Sequence, residues 1–303
     1  LTDEVETSLN NAAEALEIYL DHPDNDEPMR RCLSLIHEVH GSLKMAECHG
    51  PLLLADEMEQ VAQRIINRRV MNVAEAGAVL VQAILTLPGY LRQLLNTRQD
   101  QPETLLLLLN ELRAIKSEPL VSETAYFTPQ MLASEQLSKS YNRQPDPVAM
   151  TNLLRKLRQM YQYALLGVVK GEKVEENFGY LDKVFSRLRE LSKGMPREPL
   201  WNVVLALLEG IAGKEIKLGQ AVQMLLRQLE VEIRRLSQAG YDGLMQPMPK
   251  TLLKNLLFYI AHGKSQGPRS TLVRELYHLD QALPDVLVEE ADNNFSALYQ
   301  NDN

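Results

Sequence analysis

The sequence predicts an all-α protein made of two helical bundles joined by a linker. Three observations lead to this fold class. Leu, Ala, Glu, Gln, Arg and Met dominate the composition, and all of them favour helices. Runs of β-branched residues are short, so strands have little to be built from. Apolar residues recur at three- and four-residue steps along most of the chain, which is the period of one face of a helix.

Five helices are predicted in the first bundle, which we place at residues 1–120. They cover residues 3–20, 27–47, 52–69, 73–98 and 102–116. Pro28 suits the first turn of the second helix, and the sequence His49-Gly50-Pro51 is expected to break the chain before the third. Pro88 is expected to kink the fourth helix. Helices joined by turns this short form an antiparallel bundle.

A change of composition separates the two bundles. Residues 121–147 are rich in Ser, Pro, Gln and Glu and are predicted to be the linker. The second bundle is placed at residues 148–283, with Trp201 on the apolar stripe of one helix and therefore in the core. Its helices are predicted over residues 148–169, 172–192, 199–212, 217–238, 249–262 and 270–282. Residues 284–303 are acidic and rich in Asn, and we expect a flexible tail.

The uneven charge of the chain argues for two units with separate surfaces, which could dock on each other. Residues 1–125 hold 10 basic and 20 acidic side chains, whereas residues 148–239 hold 15 basic and 10 acidic ones. Nucleic-acid readers are usually basic over their whole reading surface, so we expect no nucleic-acid partner. No stretch reaches 18 apolar residues, so no membrane insertion is expected.

The cysteines and the motif content further narrow the function class. Cys32 and Cys48, the only two cysteines, are placed on one predicted helix about 24 Å apart, too far to pair with each other. A reduced, cytoplasmic location fits this. Since the chain has no Gly-rich phosphate loop, dinucleotide fingerprint or Ser-His-Asp order, we predict neither an enzyme nor a cofactor.

One helix, predicted over residues 27–47, suggests a specific chemistry. Its His37 is a candidate phosphoacceptor, because a neutral imidazole can take a phosphoryl group. Gly41 lies one turn later on the same face. A glycine inside a helix costs about 1 kcal/mol relative to alanine, so its presence suggests close approach by another surface. Lys44, a further turn along, would supply a cation for the phosphoryl oxygens.

His40 leaves two functions open. It stands three residues after His37, where a phosphotransfer helix typically has lysine, and it is cationic only when protonated. The helix is therefore either a docking surface without chemistry, with His40, Gly41 and Lys44 supporting His37, or an active phosphotransfer site.

A metal site at this helix is not predicted. His37 and His40 would need Cys48 and His49 as further ligands, and these lie about 12–18 Å away by helical rise. Asp56, Glu57 and Glu59 of the next helix are expected on a solvated face, with a possible salt link to Lys44.

The stretch from Arg31 to Glu47, followed by residues 50–60, resembles the N-terminal region of the large chemosensory histidine kinases of type IV pili, the ChpA/PilL group, and the related scaffold protein FimL. Further segments that resemble this region are residues 82–88, 153–158, 225–229, 254–259 and 279–285.

This resemblance implies the helical head of a histidine kinase that controls twitching motility. It implies a degenerate phosphotransfer-like domain followed by a second, FimL-like domain, acting as a scaffold. The kinase core and the other downstream domains of such a kinase are not in this sequence. The implied partners are a response regulator or a pilus-regulatory hub protein, together with those downstream domains.

Overall fold

The computed structural model describes residues 2–46, 48–100, 102–121, 129–131 and 146–282, which contain helices and turns and no strand. The all-α prediction is therefore confirmed. The chain divides into two compact units, Leu1–Val121 and Ser122–Asn303. Most of the predicted linker, residues 121–147, and all of the predicted tail, residues 284–303, lie outside the described residues.

The first unit is a helical bundle. Helix α1 packs on α2 and α4, α2 packs on α3, and α5 packs on α3 and α4. The core between them is mostly aliphatic, with Leu9, Leu16, Ile36, Leu54 and Leu80 fully buried. The helices are α1 (Thr2–Asp21), α2 (Glu27–Met45), α3 (His49–Ile66), α4 (Val73–Thr97) and α5 (Leu106–Ile115), with a 3₁₀ turn at Pro102–Leu105.

The start of α3 corrects the sequence prediction. The helix begins at His49, three residues before the predicted start, so Gly50 and Pro51 lie in its first turn. Proline is tolerated there because the first backbone N–H groups of a helix have no intrahelical acceptor. The Gly50 N–H donates instead to Asp100 Oδ2 at 2.7 Å. Cys48 is the N-cap of α3 and α2 ends at Met45, so the two cysteines do not share a helix.

Helix α4 is the most apolar long helix of this unit. It continues through Pro88, and the kink predicted there stays a prediction. Among the residues that the structure describes, α4 is the one helix long and apolar enough to cross a membrane. Half of its apolar window is buried inside the protein, and core helices of globular bundles pass the same test of length and composition.

A buried ion cluster joins α5 to α3 and overturns the prediction that Glu57 lies on a solvated face. Lys116, whose side chain is fully buried, places Nζ 2.6 Å from Glu57 Oε2 and 2.7 Å from Glu118 Oε2. Arg113 Nη1 lies 3.0 Å from Glu57 Oε1. Glu57 is buried because these two cations, from the far end of the unit's sequence, cover it.

The second unit is built around α8, which contacts α7, α11 and α12. The prediction that Trp201 is a core residue is confirmed: it is fully buried, and its Nε1–H donates to Ser192 Oγ at 2.9 Å. The ring of Phe185 lies 6.0 Å from the Trp201 ring and 5.3 Å from that of Tyr161. The helices are α6 (Pro147–Lys170), α7 (Val174–Leu191), α8 (Glu198–Ala212), α9 (Gln220–Ala239), α10 (Tyr241–Leu244), α11 (Lys250–His262), α12 (Pro268–Leu276) and α13 (Leu279–Ala282).

The last predicted helix of this unit is interrupted. Instead of one helix over residues 270–282, the chain forms α12 and α13 with a break at Tyr277 and His278. His278 has φ of 49°, in the left-handed region, which a continuous α-helix does not contain. The short α10, which follows Gly240, was not predicted.

Candidate functional site

The candidate site lies on the solvent face of α2. The opposite face of this helix is buried through Met29, Cys32, Ile36, Val39 and Leu43, which follow the helical period. Packing of that stripe fixes the rotation of α2. His37, Gly41 and Lys44 consequently remain exposed.

His37 is held by a carboxylate from the next helix. Its side chain is 73% exposed, and Nδ1 lies 2.7 Å from Glu59 Oε1 of α3. Because a carboxylate accepts hydrogen bonds, the neutral ring carries its proton on Nδ1 and keeps the lone pair on Nε2. That tautomer leaves Nε2 as the nucleophilic nitrogen.

His40 binds the same carboxylate. Its Nδ1 lies 2.8 Å from Glu59 Oε2, and its Nε2 lies 4.0 Å from Asp56 Oδ1. The ring is only 22% exposed, so it lies deeper in the groove between α2 and α3 than His37 does. One carboxylate thus holds both imidazoles that the sequence placed one turn apart.

Glu59 is the residue that sequence reasoning did not assign to the site. It belonged to a carboxylate group, with Asp56 and Glu57, that was predicted to be solvated. The spacing of Asp56 and Glu59 places these two on one face of α3, which was the signal available. What the sequence did not supply was that this face meets His37 and His40.

Gly41 and Lys44 complete the exposed face. Gly41 is exposed, and a Cβ atom built on it would meet nothing within 4 Å, so packing within the unit does not require glycine there. Lys44 forms no ion pair with the part of the chain that the structure describes, and it does not pair with Asp56, Glu57 or Glu59. The possible salt link from these carboxylates to Lys44 is therefore absent.

The surroundings of the site are acidic. An open groove beside it, between α1 and α2, is lined by Asp3, Glu4 and Glu38 together with Ser42. Ser42 donates its hydroxyl to the backbone carbonyl of Glu38 at 3.0 Å and so is already engaged. These carboxylates give this side of the helix a negative electrostatic potential, which opposes the approach of an anion such as a phosphoryl donor.

Comparisons with known proteins give two matches. Residues 146–289 match the family model for the FimL scaffold protein second domain. The chain is also 28% identical over 296 residues, or 97% of its length, to the Scaffold protein FimL of Pseudomonas aeruginosa. The alignment covers 52% of that protein, so the chain spans about half the length of this curated relative. No solved structure matches the chain.

Proposed function

We propose that this chain is a non-catalytic scaffold and docking module. Two matches support the proposal: the chain is similar to the scaffold protein FimL over 97% of its length, and its residues 146–289 match the FimL second domain. We place it at the N-terminus of a cytoplasmic type IV pilus chemosensory histidine kinase that controls twitching motility. Its partners in this proposal are a response regulator or a pilus-regulatory hub protein, and the downstream domains of the kinase. The observation that carries the docking role is the open face of α2 around Gly41.

The helix face supports docking because it is both rigid and accessible. Helix α2 is anchored by five buried side chains, and its exposed face has a glycine at a position where an added Cβ atom would meet nothing within 4 Å. Glycine in a helix interior is less stable than alanine by about 1 kcal/mol. Since no packing within the unit accounts for that cost at Gly41, contact with a partner backbone is the explanation that we propose.

The charges around His37 favour docking without phosphoryl transfer. A phosphoryl group on an imidazole needs cations near its oxygens, and here His40 is already engaged by Glu59. Glu59, whose Oε1 lies 2.7 Å from His37 Nδ1, would instead face the added negative charge. Like charges at such distances raise the free energy of the phosphorylated state.

Glycine substitutions test the docking face. We expect Gly41→Arg to abolish binding to the receiver domains or hub protein of the pathway, measured by titration calorimetry with the purified partner. Gly179→Arg is the matched control, because Gly179 is also an exposed glycine inside a helix, with nothing within 4 Å of a built Cβ. Equal binding by wild type and Gly41→Arg, or failure of wild type to bind any pathway component, would contradict the proposal.

A second candidate function is phosphoryl acceptance by His37. The hydrogen bond from Nδ1 to Glu59 favours it, because this bond presents Nε2 as the nucleophile on a highly exposed ring. Labelled ATP and the cognate kinase core would then label the wild-type chain and His49→Gln but not His37→Gln. Absence of label on the wild-type chain, while the downstream phosphotransfer domains are labelled, would exclude this function.

A further inference from the structure

We propose that His37, His40 and Glu59 bind a divalent transition-metal ion of the Zn²⁺ class. The sequence did not predict such a site, because it offered only Cys48 and His49 as partners for the two histidines. The structure brings Glu59 to both of them. This inference does not rest on the docking function, since metal binding is a property of this chain alone.

The three donor groups already converge. One ligand atom from each of His37, His40 and Glu59 lies within 4.8 Å of the other two. Zinc bonds of about 2.0–2.2 Å to nitrogen and oxygen place the ligand atoms of a tetrahedral ion about 3.3–3.6 Å from one another. Small side-chain rotations therefore suffice to admit the ion. Each neutral imidazole would bind the ion through Nδ1, with its one proton moved to Nε2, so that both rings ligate without net loss of a proton.

The helices hold these donors in place. His37 and His40 are three residues apart on one face of α2, and they directly follow the buried residues Ile36 and Val39. Glu59 follows the fully buried Met58 on α3, which packs directly on α2. Neither helix needs to move, so binding costs little backbone entropy.

Asp56 lies near the position that a supporting carboxylate commonly takes around a bound metal. Metal-ligating histidines commonly hold their second ring nitrogen on a carboxylate, which fixes the ring. In His40, Nδ1 points to Glu59, and the other nitrogen, Nε2, lies 4.0 Å from Asp56 Oδ1. This distance is too long for a hydrogen bond, so Asp56 would hold the ring only after a small side-chain rotation, and it is not a ligand in this proposal.

The donor set selects the class of ion. Two imidazoles and one carboxylate suit Zn²⁺, Co²⁺ and Ni²⁺, whereas Mg²⁺ and Ca²⁺ prefer oxygen ligands alone. Three protein ligands leave one tetrahedral position open. Because His37 is exposed, that position faces solvent and would take water or a side chain from a docked partner. The two positive charges of the ion would also offset the surrounding carboxylates.

Equilibrium dialysis of the full chain against ZnCl₂ tests the site. We expect one Zn²⁺ per wild-type chain and loss of that equivalent in His37→Ala, His40→Ala and Glu59→Gln. His49→Ala is the matched control, because it removes an exposed histidine outside the cluster and should bind like wild type. Circular dichroism of each variant checks that the helical content is unchanged. Mg²⁺ in excess should not displace the Zn²⁺.

A spectroscopic readout keeps the test independent of folding. In ¹⁵N-labelled wild-type protein, Zn²⁺ should shift the Nδ1 resonances of two histidines and leave those of the other four unchanged. The proposal is overturned if wild type binds no stoichiometric Zn²⁺, if the three ligand variants bind as well as wild type, or if His49→Ala removes the binding. It is equally overturned if the shifted resonances belong to His22 or His49.

Discussion

In the first unit His37 stands on the open face of α2, whereas in the second unit His262 is buried at the end of α11. The His262 Nδ1 lies 2.9 Å from the Phe258 carbonyl oxygen, and its ring centre lies 4.3 Å from that of Phe258. Burial lowers the pKa of His262 to about 4, so this ring is neutral at physiological pH. A histidine in a helix is therefore exposed to solvent or part of the core according to what packs over it.

The cores of the two units also differ in the type of side chain that they bury. The first unit packs mostly Leu, Ile, Val and Ala in its core and places its histidine–carboxylate cluster at the surface. The second unit buries a continuous aromatic group, Tyr161, Phe185 and Trp201. The first unit therefore has its ionisable cluster at the surface, whereas the aromatic side chains of the second unit stabilise its core.

The largest expected effect is on the stability of the second unit, when its central aromatic ring is removed. We expect Phe185→Ala to lower the free energy of unfolding of the second unit by about 4 kcal/mol, through lost burial and the cavity left beside Trp201. Trp201 is the only tryptophan, so its fluorescence during urea unfolding reports this unit alone. Phe185→Leu should cost clearly less. A loss below that of Phe185→Leu would show that the aromatic group is not the main support of the core.

The buried histidine should make the second unit sensitive to acid. The pKa of His262 falls from 6.5 in the unfolded chain to about 4 in the folded one, because burial disfavours the charged ring. As the pH drops through this window, the unfolded state gains a proton that the folded state does not. The free energy of unfolding should therefore decrease by about 3 kcal/mol between neutral pH and about pH 4.

Urea unfolding at both pH values, followed through Trp201, measures this loss. His262→Gln should show a smaller loss of stability over the same pH range, because glutamine does not titrate. Equal losses in wild type and His262→Gln would show that other groups cause the acid sensitivity.

The buried ion cluster is the corresponding weak point of the first unit. Lys116→Ala leaves Glu57 buried with Arg113 as its remaining cation. We expect this to cost about 2 kcal/mol, less than a fully orphaned buried charge would cost. Hydrogen exchange should increase in α3 and α5 while the second unit is unchanged. Increased exchange in α8 would contradict the assignment of this cluster to the first unit alone.

The smallest expected effect is a gain in stability, whereas the variants above lose stability. Gly41→Ala should stabilise the first unit by about 1 kcal/mol, because alanine favours a helix interior and a Cβ meets no neighbour there. Thermal unfolding followed by circular dichroism measures it. Gly50→Ala is the contrasting variant, since a Cβ at Gly50 would collide with Asp100 and Tyr90 and should destabilise the same unit. A destabilised Gly41→Ala would show that glycine is needed for the fold.

The sequence by itself determined the helices and the division of hydrophobic and polar faces. These follow from the 3.6-residue period, which a chain carries locally. Boundaries failed where local rules were ambiguous. Gly50-Pro51 breaks a helix interior but is compatible with a first turn, and His278 interrupts a predicted helix through a backbone angle that the sequence does not reveal.

Only the tertiary structure decided which helix faces meet. Glu59 lies 22 residues from His37, and Lys116 lies 59 residues from Glu57, so each pair depends on the crossing and register of two helices. Periodicity describes each helix separately and cannot state which neighbour covers a carboxylate. For that reason Glu57 became a buried ion partner, and Glu59 became the residue that joins the two histidines.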